Sequence, residues 1–328
     1  MPHRWTAPGL LLLLTTAFAW GAASMALTNV PPPASAAPPA AEPALAHHAV
    51  IISIDGCRPD VLLRADAPRI RDMMAHGSFT MYAETTDIAI TLPSHTSMLT
   101  GQPPEIHGIV WNTDDPPAEG PLHPYVPTIF QIAHAHGMTS GIAAGKKKFE
   151  ALARDVDYDK VSHDAKNADD SIAANDAATI IREHAPNVMF VHFANCDIVG
   201  HAVGWGTMEQ VHAIEGADAG VGTVLDALQA AHIADETLVI LSSDHGGSGA
   251  MHGKGDPRSR YIPWICTGPD VRENYDLTRN RNRTIHTEDT FATACYFLGL
   301  PTGKVQGQPV LEVLHERDLM VSATRPAR

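Results

Sequence analysis

Three aspartates in this chain each close an apolar run. Asp55 follows Val-Ile-Ile-Ser-Ile, Asp197 follows Met-Phe-Val-His-Phe-Ala-Asn-Cys, and Asp244 follows Val-Ile-Leu-Ser-Ser. One aspartate in such a place is ordinarily a helix cap or a turn residue. Three of them, two with histidines attached, are poorly explained by caps alone. His201 stands four residues after Asp197 in Asp-Ile-Val-Gly-His, a spacing that puts both on one face of a helical turn. His245 adjoins Asp244 in Ser-Ser-Asp-His-Gly-Gly, and His252 follows in Met-His-Gly-Lys-Gly. Three carboxylates with three imidazoles form a mixed oxygen and nitrogen donor set, which suits zinc or a similar divalent ion better than calcium. Six protein ligands serve two such ions and leave coordination positions free for a substrate. The chain has 19 histidines, so no single one carries the argument; the set and its placement do.

A metal pair of this kind calls for a nucleophile beside it. Candidates lie in residues 86–101, Thr-Asp-Ile-Ala-Ile-Thr-Leu-Pro-Ser-His-Thr-Ser-Met-Leu-Thr-Gly. An unaided hydroxyl has far too high a pKa to attack, and metal coordination is one way to lower it. Pro93 at a helix start would leave Thr91 exposed just ahead of the helix, near free backbone N–H groups that favour a phosphate. On local chemistry alone Ser94 and Thr96 compete with Thr91 for the role.

The elements that must position these groups show as an alternation of patterns. Residues 49–54, 139–144, 187–194, 237–242 and 261–266 read as strands, apolar on both faces as buried parallel strands are. Residues 128–136, 169–184, 208–231 and 287–298 read as helices. The alternation predicts an α/β fold, a three-layer sandwich around a mostly parallel central sheet. In such sheets ligands bind beyond the carboxyl ends of the strands, where all three aspartates fall.

Composition sets the outer bounds. Apolar content of 44% and charged content of 18% are those of an ordinary globular protein. A formal charge of −14 argues against a nucleic-acid scaffold or an anionic membrane surface as partner. It does not argue against a phosphate substrate, because bound dications reverse the local field. Residues 1–26 read as an export signal, with His3 and Arg4, an apolar run over 10–20, and Ser24 and Ala26 at a cleavage-site spacing. That run is shorter than the roughly 20 residues of a membrane span, so no stable span is expected once the signal is removed. Residues 27–46 are rich in Pro and Ala and read as a semi-rigid linker, 47–316 as one catalytic domain, and 317–328 as a tail. Periplasmic or secreted placement follows. Cys57, Cys196, Cys266 and Cys295 show no CxxC spacing. They are either disulfide partners or small buried apolar residues, and Cys57 and Cys196 both flank aspartates of the proposed site.

Taken together, these segments resemble the alkaline phosphatase superfamily, and most closely its type I phosphodiesterase/nucleotide pyrophosphatase branch, from about Ala49 to Leu300. That branch carries Asp-Gly-x-Arg-x-Asp after its first strand; here the segment is Asp55-Gly-Cys-Arg-Pro-Asp60. Its nucleophile opens Thr-Phe-Pro-Asn-His, matched by Thr91-Leu-Pro-Ser-His95. Thr100-Gly101, Pro104-Glu-Ile-His-Gly-Ile109 and Asn112 continue the family pattern. The resemblance implies an alkaline-phosphatase-like core and one metal held by Asp197, His201 and His252. The other metal would be held by Asp55, Asp244 and His245, with Thr91 at that same ion. His286 is the runner-up for the last histidine. It further implies that Thr91 attacks phosphorus to give a phosphothreonine, that the ions clamp the attacking and leaving oxygens, and that Asn112 donates to a phosphoryl oxygen.

Two departures bear on the substrate. Leu92 and Ser94 replace the branch's Phe and Asn, and aromatics make up only 6% of the chain, so no base-stacking platform is evident. Gly145-Lys-Lys-Lys-Phe149 resembles the Lys-x-Lys or Lys-x-Arg segment of superfamily monoesterases and phosphonate hydrolases. Lys146 and Lys148 would sit on one side of an extended segment and reach the same phosphate. The expectation is therefore a two-metal phosphoric ester hydrolase of the phosphodiesterase/nucleotide pyrophosphatase type, acting on a small-molecule ester with zinc the favoured ion. The alternatives are a monoesterase or phosphonate hydrolase using Lys146 and Lys148, or a catalytically inactive binding protein. The Cys-x-Pro-x-Arg signal of sulfatases is absent around Thr91. The serine and the large inserted domain of cofactor-independent mutases are absent too.

Overall fold

The strand β1 (His48–Ile54) is apolar on both faces because it lies at the centre of the sheet, between β5 (Val188–Phe193) and β6 (Thr237–Ser242), parallel to both. The computed structural model describes residues 44–162, 169–280 and 283–315. The expected signal 1–26, nearly all of the expected linker and the expected tail 317–328 lie outside the described residues. The remaining strands are β2 (Ser78–Glu84), β3 (Ser140–Ala144), β4 (Tyr158–Val161), β7 (Tyr261–Thr267) and β8 (Tyr275–Asp276). The sheet runs β4-β3-β5-β1-β6-β7-β2-β8.

Helices cover both faces. In chain order they are α1 (Pro59–Leu62), α2 (Pro68–Ala75), α3 (Thr91–Thr100), α4 (Pro104–His107), α5 (Ile129–Ala135), α6 (Asp170–His184), α7 (Asn195–Val203), α8 (Met208–Ala230), α9 (Pro257–Arg260) and α10 (Asp289–Leu298). Period-2 alternation sorts the sheet residues between two cores. Ala49 and Ile51 pack with Leu92 of α3, Phe130 of α5 and Phe291 of α10. Val50, Ile52 and Ile54 pack with Ile70 of α2, Ala177 of α6 and Ile214 of α8. The architecture is the expected three-layer α/β sandwich. Local signals set several helix ends: Thr128 and Gln131 form a capping box at α5, and Thr207 caps α8. Gly101 stops α3 in the left-handed region at φ 66°.

One strand departs from expectation. Residues 261–266 read as a parallel strand, yet β7 pairs antiparallel with both β6 and β2. After β6 the chain stays at the carboxyl edge of the sheet, carries Asp244, His245 and His252 along it, and returns directly with no crossover helix. Burial on both faces makes the strand apolar throughout, and that pattern carries no information about direction.

Candidate metal centre and nucleophile

The carboxyl ends of β3, β5, β1 and β6, four adjacent parallel strands, supply most of the site. Asp55 is the first residue after β1, and Asp244 lies two residues after β6. Asp197 sits in the first turn of α7, and His201 follows one turn later on the same face, as its spacing predicts. His245 Nε2 stands 3.1 Å from Asp244 Oδ2 and 3.4 Å from Asp55 Oδ1. His252 Nε2 is 3.6 Å from Asp197 Oδ1, and His201 Nε2 is 3.5 Å from the same oxygen and 3.1 Å from His252 Nε2. Among the described residues, two groups of three are close enough to hold a metal: Asp55, Asp244 and His245, and Asp197, His245 and His252. His201 adjoins the second. His286 is exposed on a bridge to Glu84 and takes no part in either group.

Protein partners orient these groups and leave a specific set of atoms bare. Nδ1 of His201, His245 and His252 bonds the backbone carbonyl of Ala250, Gly246 and Ala89 respectively, at 3.0, 2.9 and 2.9 Å. Each ring therefore offers Nε2 to the site, the arrangement by which a second partner fixes a metal-binding imidazole. Asp55 Oδ2 accepts from Lys146 and His192, and Asp244 Oδ1 accepts from the Gly56 amide. The opposite atoms, Asp55 Oδ1, Asp197 Oδ1, Asp244 Oδ2 and His245 Nε2, are buried without a hydrogen-bond partner. Buried acceptors are seldom left bare, and four facing one another fit a bound cation.

The electrostatics agree. Burial opposes the charge on Asp55, but Lys146 and then His192 hold its carboxyl well below the usual range. Burial, and then the charges of Asp55 and Asp197, push Asp244 well above it. Burial lowers His245 to about 4, with His252 acting the same way, so the imidazole is neutral and free to bind a metal. Lys146 offers one positive charge to three carboxylates; one dication would offset the remainder and a second would turn the site positive, as an anionic phosphoryl group requires.

Thr91 is the first residue of α3 and is 1% exposed. The expectation of an exposed threonine ahead of the helix is corrected here. Pro93 falls inside the first turn, where a missing N–H costs nothing, so the helix begins at Thr91 itself. No side chain of the preceding residue caps α3; instead the Leu92 N–H donates to Asn112 Oδ1 at 2.9 Å. Lys148 Nζ approaches the same oxygen at 3.3 Å and the Asn112 carbonyl at 2.7 Å. With Oδ1 engaged twice, Asn112 presents its Nδ2 donor beside the start of α3. Ser94 bonds Thr85 and the Asp244 carbonyl, and Thr96 bonds the Leu92 carbonyl. These internal bonds leave Thr91 as the hydroxyl of the three without such a tie.

The lysines do not act as a pair on an extended segment. A 3₁₀ turn starts at Lys147 and separates them. Lys146 Nζ lies 2.6 Å from Asp55 Oδ2 and 2.7 Å from Asp197 Oδ2, whereas Lys148 turns to Asn112. Burial lowers the pKa of Lys148, with Lys146 adding to the effect. Burial also works against the charge on Lys146, but Asp197 and Asp55 outweigh it and raise the pKa.

Some supporting residues had no assigned role in the sequence. His192, in the middle of the β5 apolar run, donates toward Asp55 Oδ2 at 2.9 Å. His95 Nδ1 bonds the Thr91 carbonyl at 2.8 Å while its Nε2 meets Ser53 Oγ at 2.7 Å. Polar residues inside otherwise apolar strands, Ser53 and His192, were the visible signal for this layer. All four cysteines are buried free thiols, and Cys57 and Cys196 are within hydrogen-bond reach of each other.

Comparison with known proteins decides the family. Residues 49–263 match the model of type I phosphodiesterase / nucleotide pyrophosphatase. The chain belongs to that family. It is 24% identical over 220 residues to mouse ectonucleotide pyrophosphatase/phosphodiesterase family member 7, covering 61% of this chain and 50% of that protein. It is 26% identical over 214 residues to a Xenopus laevis bis(5'-adenosyl)-triphosphatase, covering 60% and 46%. The chain thus spans about half the length of the curated relatives it matches. Among solved structures, an inactive murine ectonucleotide pyrophosphatase/phosphodiesterase 5 in complex with AMP superposes with a TM-score of 0.67 at 16% identity, covering 82% of this chain and 100% of that one. At that identity the likeness establishes the fold of the family and no more.

Proposed function

We propose that this chain hydrolyses phosphoric diester or pyrophosphate bonds of a small molecule, in the periplasm or outside the cell, with Thr91 as nucleophile. Two divalent ions would be held by Asp55, Asp244, His245 and Thr91, and by Asp197, His201 and His252. The mixed carboxylate and imidazole donors favour zinc. The observation that carries this reading is the set of four bare buried atoms facing one another, Asp55 Oδ1, Asp197 Oδ1, Asp244 Oδ2 and His245 Nε2. When bound, such ions supply positive charge that lowers the pKa of a hydroxyl and offsets that of a phosphoryl group.

In the first step Thr91 Oγ1 bonds to phosphorus, the ester P–O bond breaks, and the leaving alcohol or phosphate takes a proton. In the second, water attacks the phosphothreonine, the bond from phosphorus to Thr91 Oγ1 breaks, the threonine hydroxyl regains a proton, and a phosphate monoester departs. Asn112 Nδ2 donates to a non-bridging oxygen, with its amide held by the Leu92 N–H. Names of relatives, a phosphodiesterase and a bis(5'-adenosyl)-triphosphatase, support the bond type.

A second reading, monoester or phosphonate cleavage, is favoured by one observation. Lys148 Nζ lies 2.7 Å from the Asn112 carbonyl and adds a cation beside the phosphoryl subsite. Rates on a monoester, a diester and a phosphonate, for wild type, Thr91→Ala and Lys148→Ala, separate the possibilities. Thr91→Ala is expected to abolish turnover while the six aspartate and histidine side chains still bind metal. A Thr91→Ala protein with full activity refutes the nucleophile. Metal binding without turnover of any of the three esters would favour an inactive binding protein. A loss in Lys148→Ala confined to the monoester would favour the second reading.

A further inference from the structure

Trp205 lies on the short connection between α7 and α8, buried except for 7% of its surface. Its ring is edge-on to both exposed-side imidazoles: centroids are 5.1 Å apart at 86° for His201 and 5.6 Å at 63° for His252. Nε1 donates to the carbonyl of Gly56, the residue after Asp55, at 2.8 Å. The Trp205 backbone N–H donates to Gly249 at 2.7 Å, three residues before His252. One residue therefore touches the three segments that bring the aspartates and histidines to the site: the end of β1, the last turn of α7 and the loop after β6.

The slot that receives the indole is made by absent side chains. A Cβ on Gly247 would stand 2.3 Å from the indole ring, and one on Gly200 would stand 2.7 Å from it. Both glycines permit a contact that any other residue would push open. Trp205 thus has a fitted seat rather than a chance place in the core. His201, whose side chain is 40% exposed, has the Ala250 carbonyl as its backbone anchor. The Trp205 indole, edge-on at 5.1 Å, and the His252 ring, tilted at 4.9 Å, flank its imidazole.

We infer that Trp205 is a positioning residue for the metal centre, holding the His201 and His252 rings with Nε2 turned toward Asp197. The inference rests on the proposed ligand set. An edge-on indole restricts rotation of each imidazole without competing for Nε2, because its one donor is committed to Gly56. The group Asp55, Asp244 and His245 has its own hydrogen-bonded supports, so its affinity depends less on Trp205.

The test is metal binding by the full chain after chelation. Zinc is titrated against a competing chelator, and cobalt(II) spectra report ligand geometry. Variants are Trp205→Phe, Trp205→Leu and Gly247→Ala, the last of which keeps every ligand and the indole while forcing the ring from its seat. Each should weaken the second zinc about 10- to 100-fold, the usual effect of losing outer support. Each should alter the cobalt spectrum, while the first zinc changes less. Thermal midpoints of the stripped proteins separate a general packing loss from a loss of metal geometry. If Trp205→Phe and Gly247→Ala both bind two zinc ions with wild-type affinity and spectrum, the role of Trp205 is refuted. If the wild-type protein itself binds no zinc or cobalt, the ligand assignment fails instead, and the two failures are told apart by that control.

Discussion

Replacing Lys146 with methionine should harm the metal-free protein far more than the metal-loaded one. The Nζ lies 2.6 Å from Asp55 and 2.7 Å from Asp197, the lysine side chain is 12% exposed, and both carboxylates are almost wholly buried. Methionine keeps the length and apolar stem of lysine and removes only the charge. Breaking a buried ion pair by deleting one partner costs about 3–5 kcal/mol, because the other charge stays buried. A domain of this size loses about 2–4 °C of midpoint per kcal/mol, so the stripped variant should melt roughly 6–20 °C below stripped wild type. Bound dications would replace the lost charge, and in saturating zinc the gap should shrink to a few degrees. By linkage, zinc should also stabilise the variant more than wild type; a ligand at 1,000 times its Kd contributes about 4 kcal/mol. The assay is thermal unfolding of both proteins, each with chelator and with zinc. An equal loss in the two states, or no loss in the stripped state, would show that Lys146 does not share its carboxylates with a metal.

Three further outcomes are expected. His192→Phe keeps the ring against Phe149, 4.2 Å away, but deletes the donor to Asp55 Oδ2. It should cost about 1–3 kcal/mol and weaken zinc binding, and unchanged urea and zinc titrations would exclude that support role. Asp170 accepts from the Ala194 and Asn195 N–H groups at the start of α7, and burial raises its pKa to about 7. Because the folded value lies above the unfolded one, stability is full in acid and declines as pH rises from about 4 to 7, by roughly 4 kcal/mol for this group. Asp170→Asn keeps the acceptor and should flatten that decline; urea midpoints at pH 5 and pH 8 with the same slope in both proteins would rule it out. All four thiols are buried, so iodoacetamide should label none of them in the native protein and all that remain reduced after unfolding; rapid native labelling, read by mass spectrometry, would contradict the packing.

The sequence by itself determined the layers and most of the ligand set. Runs such as 49–54 and 237–242 are apolar on both faces only if helices cover both sides of a sheet, and Asp55 and Asp244 at their ends must then face one crevice. The spacing of Asp197 and His201 carried their shared face as well, since a helix repeats every 3.6 residues. Other features were decided by tertiary structure. The direction of β7 depends on where the preceding loop returns, and an apolar pattern is the same read either way. Lys146 meets Asp55 across 91 residues of chain and His192 meets it across 137, distances over which no local pattern extends. Asn112 Oδ1 is spent on the Leu92 amide because α3 begins with no cap of its own, a need that arises only once the helix is in place. Sequence thus named the groups that carry charge, whereas the fold decided which charge each one answers. Electrostatic partners are chosen by distance in space, and only close packing brings those partners together.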